Sequence, residues 1–204
     1  MFEVGQRLMR SIGVFCGSSS GSDSAYASAA ADLGALLAKE GVELVWGGGH
    51  VGLMGVVADS VLAEGGRVFG VIPSFMAERE LAHPAASEMV VVESMHARKA
   101  AMADRAEGFV ALPGGFGTLD ELFEILTWAQ LHIHGKPVGL LNVKGFFDPL
   151  LAMVKHMSAE GFIKPYHLAL LRVAETPLEL LRTMRAHCAP EGDWLDQKLA
   201  LDAR

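Results

Sequence analysis

The run Pro113-Gly-Gly-Phe-Gly-Thr-Leu-Asp-Glu121 sets Gly114, Gly115 and Gly117 directly ahead of Thr118 and Glu121. Glycines let backbone N–H groups converge, and a helix opening here adds the positive end of its dipole, so the segment suits a phosphate. A second, purely structural reading uses the same residues: Thr118-x-x-Glu121 is the pattern of a capping box, in which each side chain bonds the other's backbone amide. The segment Met95-His-Ala-Arg-Lys99 tilts the balance. An Arg-Lys pair is by itself an ordinary solvated surface, but here it follows another apolar run and brings Arg98 toward the glycine loop and Glu121.

Two further glycine clusters follow apolar runs. Gly47-Gly-Gly-His-Val-Gly52 matches GxGxxG, yet the next apolar run, Arg67-Val-Phe-Gly-Val-Ile-Pro73, ends without the acidic residue that a dinucleotide site uses for the ribose. A tight turn with close packing of Gly52 and Gly55, or a wall of a nucleotide pocket, fits better. Gly17-Ser-Ser-Ser-Gly-Ser22 offers hydroxyls and open amides; most of it reads as a loop with Ser22 or Asp23 as helix cap, and Ser18 is kept as a binding residue. A Walker A lysine is missing, which argues against triphosphate chemistry. Eight histidines occur without HExxH or another strong ligand spacing, so no metal site is expected. Met54, Met95 and Met102 read as core or as apolar pocket wall.

The elements that must position these residues alternate. Short apolar runs over Ile12–Cys16, Val42–Trp46, Arg67–Ile72, Met89–Val92, Gly108–Leu112, Val138–Val143 and, more weakly, Leu170–Ala174 are the predicted strands. Helical periodicity fills the gaps over Asp23–Glu40, Leu53–Glu64, His96–Ala106, Leu119–His132, Pro149–Glu160 and Leu178–His187. Gly41, Gly65 and Gly161 stand where helix C-caps belong. The pattern predicts an α/β fold: a Rossmann-like doubly wound parallel sheet of about seven strands with helices on both faces. One domain over 1–204 is expected, with its core at about 11–187 and a peripheral tail after Pro190. In such sheets the ligand crevice lies beyond the carboxyl ends of the strands, where the three glycine clusters fall.

Composition bounds the partners. With 17 basic against 24 acidic side chains the net charge is -7, which disfavours nucleic acid and anionic membranes, so any phosphate site is local. The apolar fraction of 51% fits a doubly covered sheet or a substantial oligomer interface. Every apolar run is interrupted well short of the ~20 residues that span a bilayer. Ile12–Cys16 is too short for a leader's apolar core, and two cysteines build neither a disulfide framework nor a CxxC zinc site, so a cytoplasmic setting is expected.

Taken together, Pro113-Gly-Gly-x-Gly-Thr-x-x-Glu121 and Met95-x-x-Arg-Lys99 resemble the signature of the LOG family, the cytokinin riboside 5'-monophosphate phosphoribohydrolases, members of which carried the label "possible lysine decarboxylase". The likeness runs from Gly13-Val-Phe-Cys-Gly-Ser18 through Gly47-Gly-Gly-x-x-Gly-Leu-Met-Gly55 to Thr127-Trp-Ala-Gln130, Gly139-Leu-Leu-Asn142 and Glu160-Gly-Phe-Ile163. The two central motifs show no departure; the stretch Met76 to Glu88 is less typical, with Arg79-Glu80 alone resembling the family. The resemblance implies hydrolysis of an N6-substituted adenosine monophosphate, or AMP, to base and ribose 5-phosphate, without metal or organic cofactor. It implies that Gly114 to Thr118 hold the phosphate, that Arg98 and Glu121 act at the sugar, and that Glu80, Met95, Lys99 and Thr127 contact the substrate. It also implies a homodimer with pockets near the subunit interface.

The chemistry agrees with those residue types. Breaking an N-glycosidic bond leaves an oxocarbenium-like sugar, which a carboxylate stabilises, attacks or supplies with an aligned water. Arg98 stays protonated and suits an anchor better than a general acid. A pyridoxal phosphate decarboxylase needs a Schiff-base lysine with an acidic partner for the ring nitrogen, and Lys99, flanked by Arg98 and Arg105, gives no sign of that arrangement. The competing reading is a non-catalytic nucleotide or cofactor carrier with the same fold, which would need neither Arg98 nor Glu121.

Overall fold

The computed structural model describes residues 8–79 and 82–187. Seven parallel strands form one sheet: β1 (Ser11–Phe15), β2 (Glu43–Trp46), β3 (Val68–Pro73), β4 (Glu88–Val92), β5 (Phe109–Ala111), β6 (Val138–Leu141) and β7 (Leu171–Ala174), in the order β4-β3-β2-β1-β5-β6-β7. The intervening helices are α1 (Ser24–Lys39), α2 (Gly52–Ala63), α3 (Ser74–Ala77), α4 (Met95–Arg105), α5 (Phe116–Gln130), α6 (Asp148–Ala159) and α7 (Pro177–Arg185). The short α3 is an addition to the predicted set. The seven predicted strands are all present, shifted by a residue or two at their ends.

Near-continuous apolar runs make these strands because both faces of the sheet are covered. Ile12, Val14, Leu44 and Trp46 point to one face, where they pack with Leu33, Leu37, Val57, Leu180 and Met184 of α1, α2 and α7. The alternate residues Phe15, Val45, Phe69 and Val71 point to the other, against Met102, Leu122 and Ile125 of α4 and α5 with Phe147 before α6. Gly34 lets α1 and α2 approach closely, since a Cβ there would lie 2.6 Å from the Val57 carbonyl oxygen. Gly41, Gly65 and Gly161 follow α1, α2 and α6 with φ of 68°, 74° and 79°, the left-handed C-cap conformation expected of them.

The strand order places the site. From β1 the chain steps outward through β2, β3 and β4, then returns to β1's other side and steps out through β5, β6 and β7. The loops after β1 and β5 therefore diverge, opening a crevice at the topological switch point. Among the described residues no helix is long and apolar enough to cross a membrane.

Candidate active site

Two adjoining cavities of about 270 and 260 Å³ open at that switch point, and Gly17, Ser18 and Gly115 line both. The β1 and β5 loops are braced against each other by the Gly17 amide donating to the Pro113 carbonyl, and the Leu53 amide of α2 donates to the Gly17 carbonyl. Gly52 is confined to this junction: its φ is 59°, and a Cβ there would lie 2.3 Å from the Ser18 carbonyl carbon.

Helix α5 begins at Phe116, three residues before the predicted start. Gly115 is its N-cap, in extended conformation, and no side chain caps the helix. Thr118 is thus the third helical residue and cannot be an N-cap, so the capping box of the competing structural reading does not form. The physical reason is that glycine is itself an accepted N-cap, which lets the helix open before the threonine. The first-turn N–H groups of Phe116, Gly117 and Thr118 consequently lack helical partners, and no acidic side chain occupies that turn. A Cβ at Gly115 or Gly117 would meet no atom within 4 Å, so bare backbone faces open space. At Gly114 a Cβ would lie 2.1 Å from Oγ1 of the buried Thr118, which makes that glycine a packing requirement.

One turn further in, Glu121 faces Arg98 of α4, with Arg98 Nη2 3.5 Å from Glu121 Oε1. Both are buried, at 8% and 6% exposure. Arg98 Nε has no hydrogen-bond partner, and Nη1 reaches only the Met95 sulfur at 3.8 Å. A buried guanidinium with donors to spare is poised for an acceptor brought by a ligand. Gly47 makes room for it: a Cβ there would fall 1.5 Å from Arg98 Nη2. Burial raises the Glu121 pKa from 4.5 to about 7, with Arg98 and Lys99 opposing the rise and Asp120 and Glu124 adding to it. Cys16 lies at the cleft floor beside this pair; burial, then Glu121, push its thiol up, so it stays neutral.

The other expected site residues are distributed unevenly. Ser18, Met95, Gly115, Gly117 and Thr118 line the cleft with Arg98 and Glu121, and Gly114 lines its other half. Lys99 turns toward α5, where its Nζ lies 3.1 Å from Asp120 Oδ2 and 3.0 Å from Glu124 Oε2. Thr127 lies two turns along α5, its hydroxyl donating to the Phe123 carbonyl, beside an apolar groove between α5 and α6. Glu80 is outside the described residues, as is the tail after Pro190. Sequence reasoning passed over Phe116, 94% exposed at the cleft mouth, and Met76, which joins Met54 and Met95 in an apolar wall. Phe116 had a signal, an aromatic at the free position of a glycine loop; Met76 had none, because α3 was not predicted. Among the described residues no group of three or more His, Cys, Asp or Glu is arranged to hold a metal.

Comparison with known proteins adds names to this geometry. The sequence profile of a family described as "Possible lysine decarboxylase" matches residues 54–184. The chain is 49% identical over 187 residues to the probable cytokinin riboside 5'-monophosphate phosphoribohydrolase LOGL1 of Oryza sativa subsp. japonica, covering 89% of this chain and 84% of the relative. It is 46% identical over 202 residues to the cytokinin riboside 5'-monophosphate phosphoribohydrolase LOG7 of Arabidopsis thaliana, covering 99% and 92%. Among solved structures, the molybdenum cofactor binding protein of Rippkaea orientalis superposes with a TM-score of 0.67 at 24% identity, over 88% of this chain and 97% of that one. The molybdenum cofactor carrier protein of Chlamydomonas reinhardtii gives 0.65 at 22% identity, over 95% and 99%. At such identities the structural likeness shows the fold alone.

Proposed function

The chain belongs to the family described as possible lysine decarboxylases, which its relatives named as phosphoribohydrolases share, and from that premise we propose that it hydrolyses the N-glycosidic bond of a nucleoside 5'-monophosphate. The substrate class is AMP or an N6-substituted, cytokinin-type relative, and the products are free base and ribose 5-phosphate. The observation that carries this reading is the buried Arg98–Glu121 pair one helical turn inside an uncapped helix start. A 5'-phosphate received by the amides of Gly115 to Thr118 sets the ribose over that pair. As the C1'–N bond breaks, positive charge grows on the sugar ring, and the Glu121 carboxylate stabilises it or aligns the water that delivers hydroxide to C1'. The base leaves with the bonding electron pair and gains a proton.

Decarboxylation fits the residues poorly. A lysine must be neutral to form a Schiff base, whereas Lys99 is held as an ammonium: burial lowers its pKa, but Glu124 and Asp120 more than offset this and raise it. A carrier of the same fold could use the under-bonded arginine to hold its ligand but would not need the arginine and Glu121 together. The relatives with hydrolase names are also twice as similar in sequence as the carrier structures. We further read the protein as a cytoplasmic homodimer, a reading supported by the buried free thiol of Cys16 and by the apolar α5–α6 face.

The test is base release by chromatography on AMP, an N6-isopentenyl relative and free adenosine. The nucleotides are expected to turn over and the nucleoside to be far slower in turnover as well as affinity, because remote phosphate binding energy orients the sugar. Equal rates on adenosine and AMP would remove the phosphate from the glycine loop. Nucleotide binding without release would return the carrier reading to first place.

A further inference from the structure

Arg98 and Glu121 come from different helices, and their mutual distance of 3.5 Å is too long to hold those helices in register by itself. The neighbouring residues make the closer contact. Lys99 follows Arg98 on α4, while Asp120 and Glu124 flank Glu121 on α5, and the Lys99 ammonium sits 3.1 and 3.0 Å from their carboxylates. The Lys99 side chain is only 10% exposed and Glu124 24%, whereas Asp120 is 61% exposed, so the clasp is shielded on its lysine and Glu124 side and open to solvent at Asp120. Resting on the proposed hydrolase reading, we infer that Lys99 is a positioning residue: by clasping Asp120 and Glu124 it locks α4 to α5 so that Arg98 meets Glu121, and it does not itself touch the nucleotide.

After burial and Arg98, the same three charges adjust the field at Glu121. The groups that face it are Arg98 and Lys99 on α4, Asp120 and Glu124 on its own helix, and the Cys16 thiol after β1. Lys99 favours the ionised carboxylate and the two acids oppose it. Breaking the clasp from either side therefore loosens the pair but moves the ionisation of Glu121 in opposite directions, so a loss of kcat common to both sides reports the lost register rather than the changed field.

The experiment measures kcat and KM for AMP across pH 5 to 9 in the wild type, Lys99→Met, Lys99→Arg and the double variant Asp120→Asn with Glu124→Gln, with circular dichroism confirming the fold of each. Loss of register at the reacting groups is expected to lower kcat by on the order of 10-fold or more in Lys99→Met and in the double variant, with KM changed less than about 3-fold. The limb of the pH profile governed by Glu121 moves to higher pH in Lys99→Met and to lower pH in the double variant, while Lys99→Arg stays near wild type. A KM raised about 10-fold in Lys99→Met at unchanged kcat makes Lys99 a substrate contact and overturns the proposal, as do unchanged kinetics in both variants. If Lys99→Met does not fold, the double variant decides alone through its kcat and the direction of its limb. Wild-type protein that releases base from no nucleotide defeats the hydrolase reading instead. The clasp is then judged by melting temperatures of Lys99→Met, Glu124→Gln and their combination, where additive losses overturn it.

Discussion

Burial and charge pull Glu121 in opposite directions, and burial wins: its pKa stands at about 7 despite Arg98. The sign of the consequence for stability follows from that shift. An unfolded chain releases this proton near 4.5, whereas the folded chain keeps it until about 7. Stability from this group is complete below about pH 4.5 and is lost as pH rises through 7, by on the order of 3 kcal/mol. Glu121→Gln removes the titration, so the variant should melt close to wild type near pH 4 to 5 and higher than wild type at pH 8. A difference that stays flat across that range refutes the buried carboxylate. Turnover should respond the other way. If the ionised carboxylate meets the oxocarbenium-like centre, Glu121→Gln loses on the order of 10²-fold or more while still binding AMP, and wild-type kcat/KM rises through about pH 7. The charge type of Glu121 and its company with Arg98 were legible in the motifs. Its raised pKa was not, because burial comes from residues distant in sequence, such as Cys16 just after β1.

At the scale of elements, periodicity and punctuation glycines located nearly every helix and strand, and what they left unread, such as the true start of α5, falls where glycine permits what side chains would forbid. Thr118-x-x-Glu121 spells a capping box, yet an N-cap glycine three residues earlier takes that role and frees both side chains to face the cleft. The GxGxxG turn after β2 shows the same principle at Gly47. Nothing local in the sequence says that a guanidinium from α4 fills the space a Cβ would take. Gly47→Ala therefore pushes the Arg98 guanidinium aside, and because that group is the far end of a flexible side chain the fold can accommodate it. Melting within a few degrees of wild type is expected, with turnover reduced as in Arg98→Ala, on the order of 10²-fold. Activity near wild type would mean that the observed position of Arg98 is not the working one.

Across the whole molecule the alternation of elements was enough to read a doubly wound parallel sheet, since only burial on both faces explains strands with no polar alternation. What the alternation leaves open is which surface remains apolar once the sheet is covered. In the structure one part of that surface lies on α6 and the segments after α5 and α6: Ile133 is 64% and Phe162 81% exposed, with Leu131, Met153 and Tyr166 also open to solvent. A groove between them is lined by Leu126, Met157 and Ile163. Single exposed apolar side chains are ordinary, but several on the elements that flank an apolar groove make this the face we propose for the dimer contact. A net charge of -7 opposes association at long range, so a stable contact must come from apolar burial over roughly 1,000 Å² or more. Light scattering at micromolar concentration is expected to give twice the 21.7 kDa of one chain. Met153→Asp combined with Phe162→Asp places charge in the middle of that face and should return the mass to that of one chain without lowering the melting temperature of the isolated fold, since neither side chain belongs to the core. A wild-type mass near 21.7 kDa, or a double variant still at twice that mass, would show that the α5–α6 face is not where two copies meet.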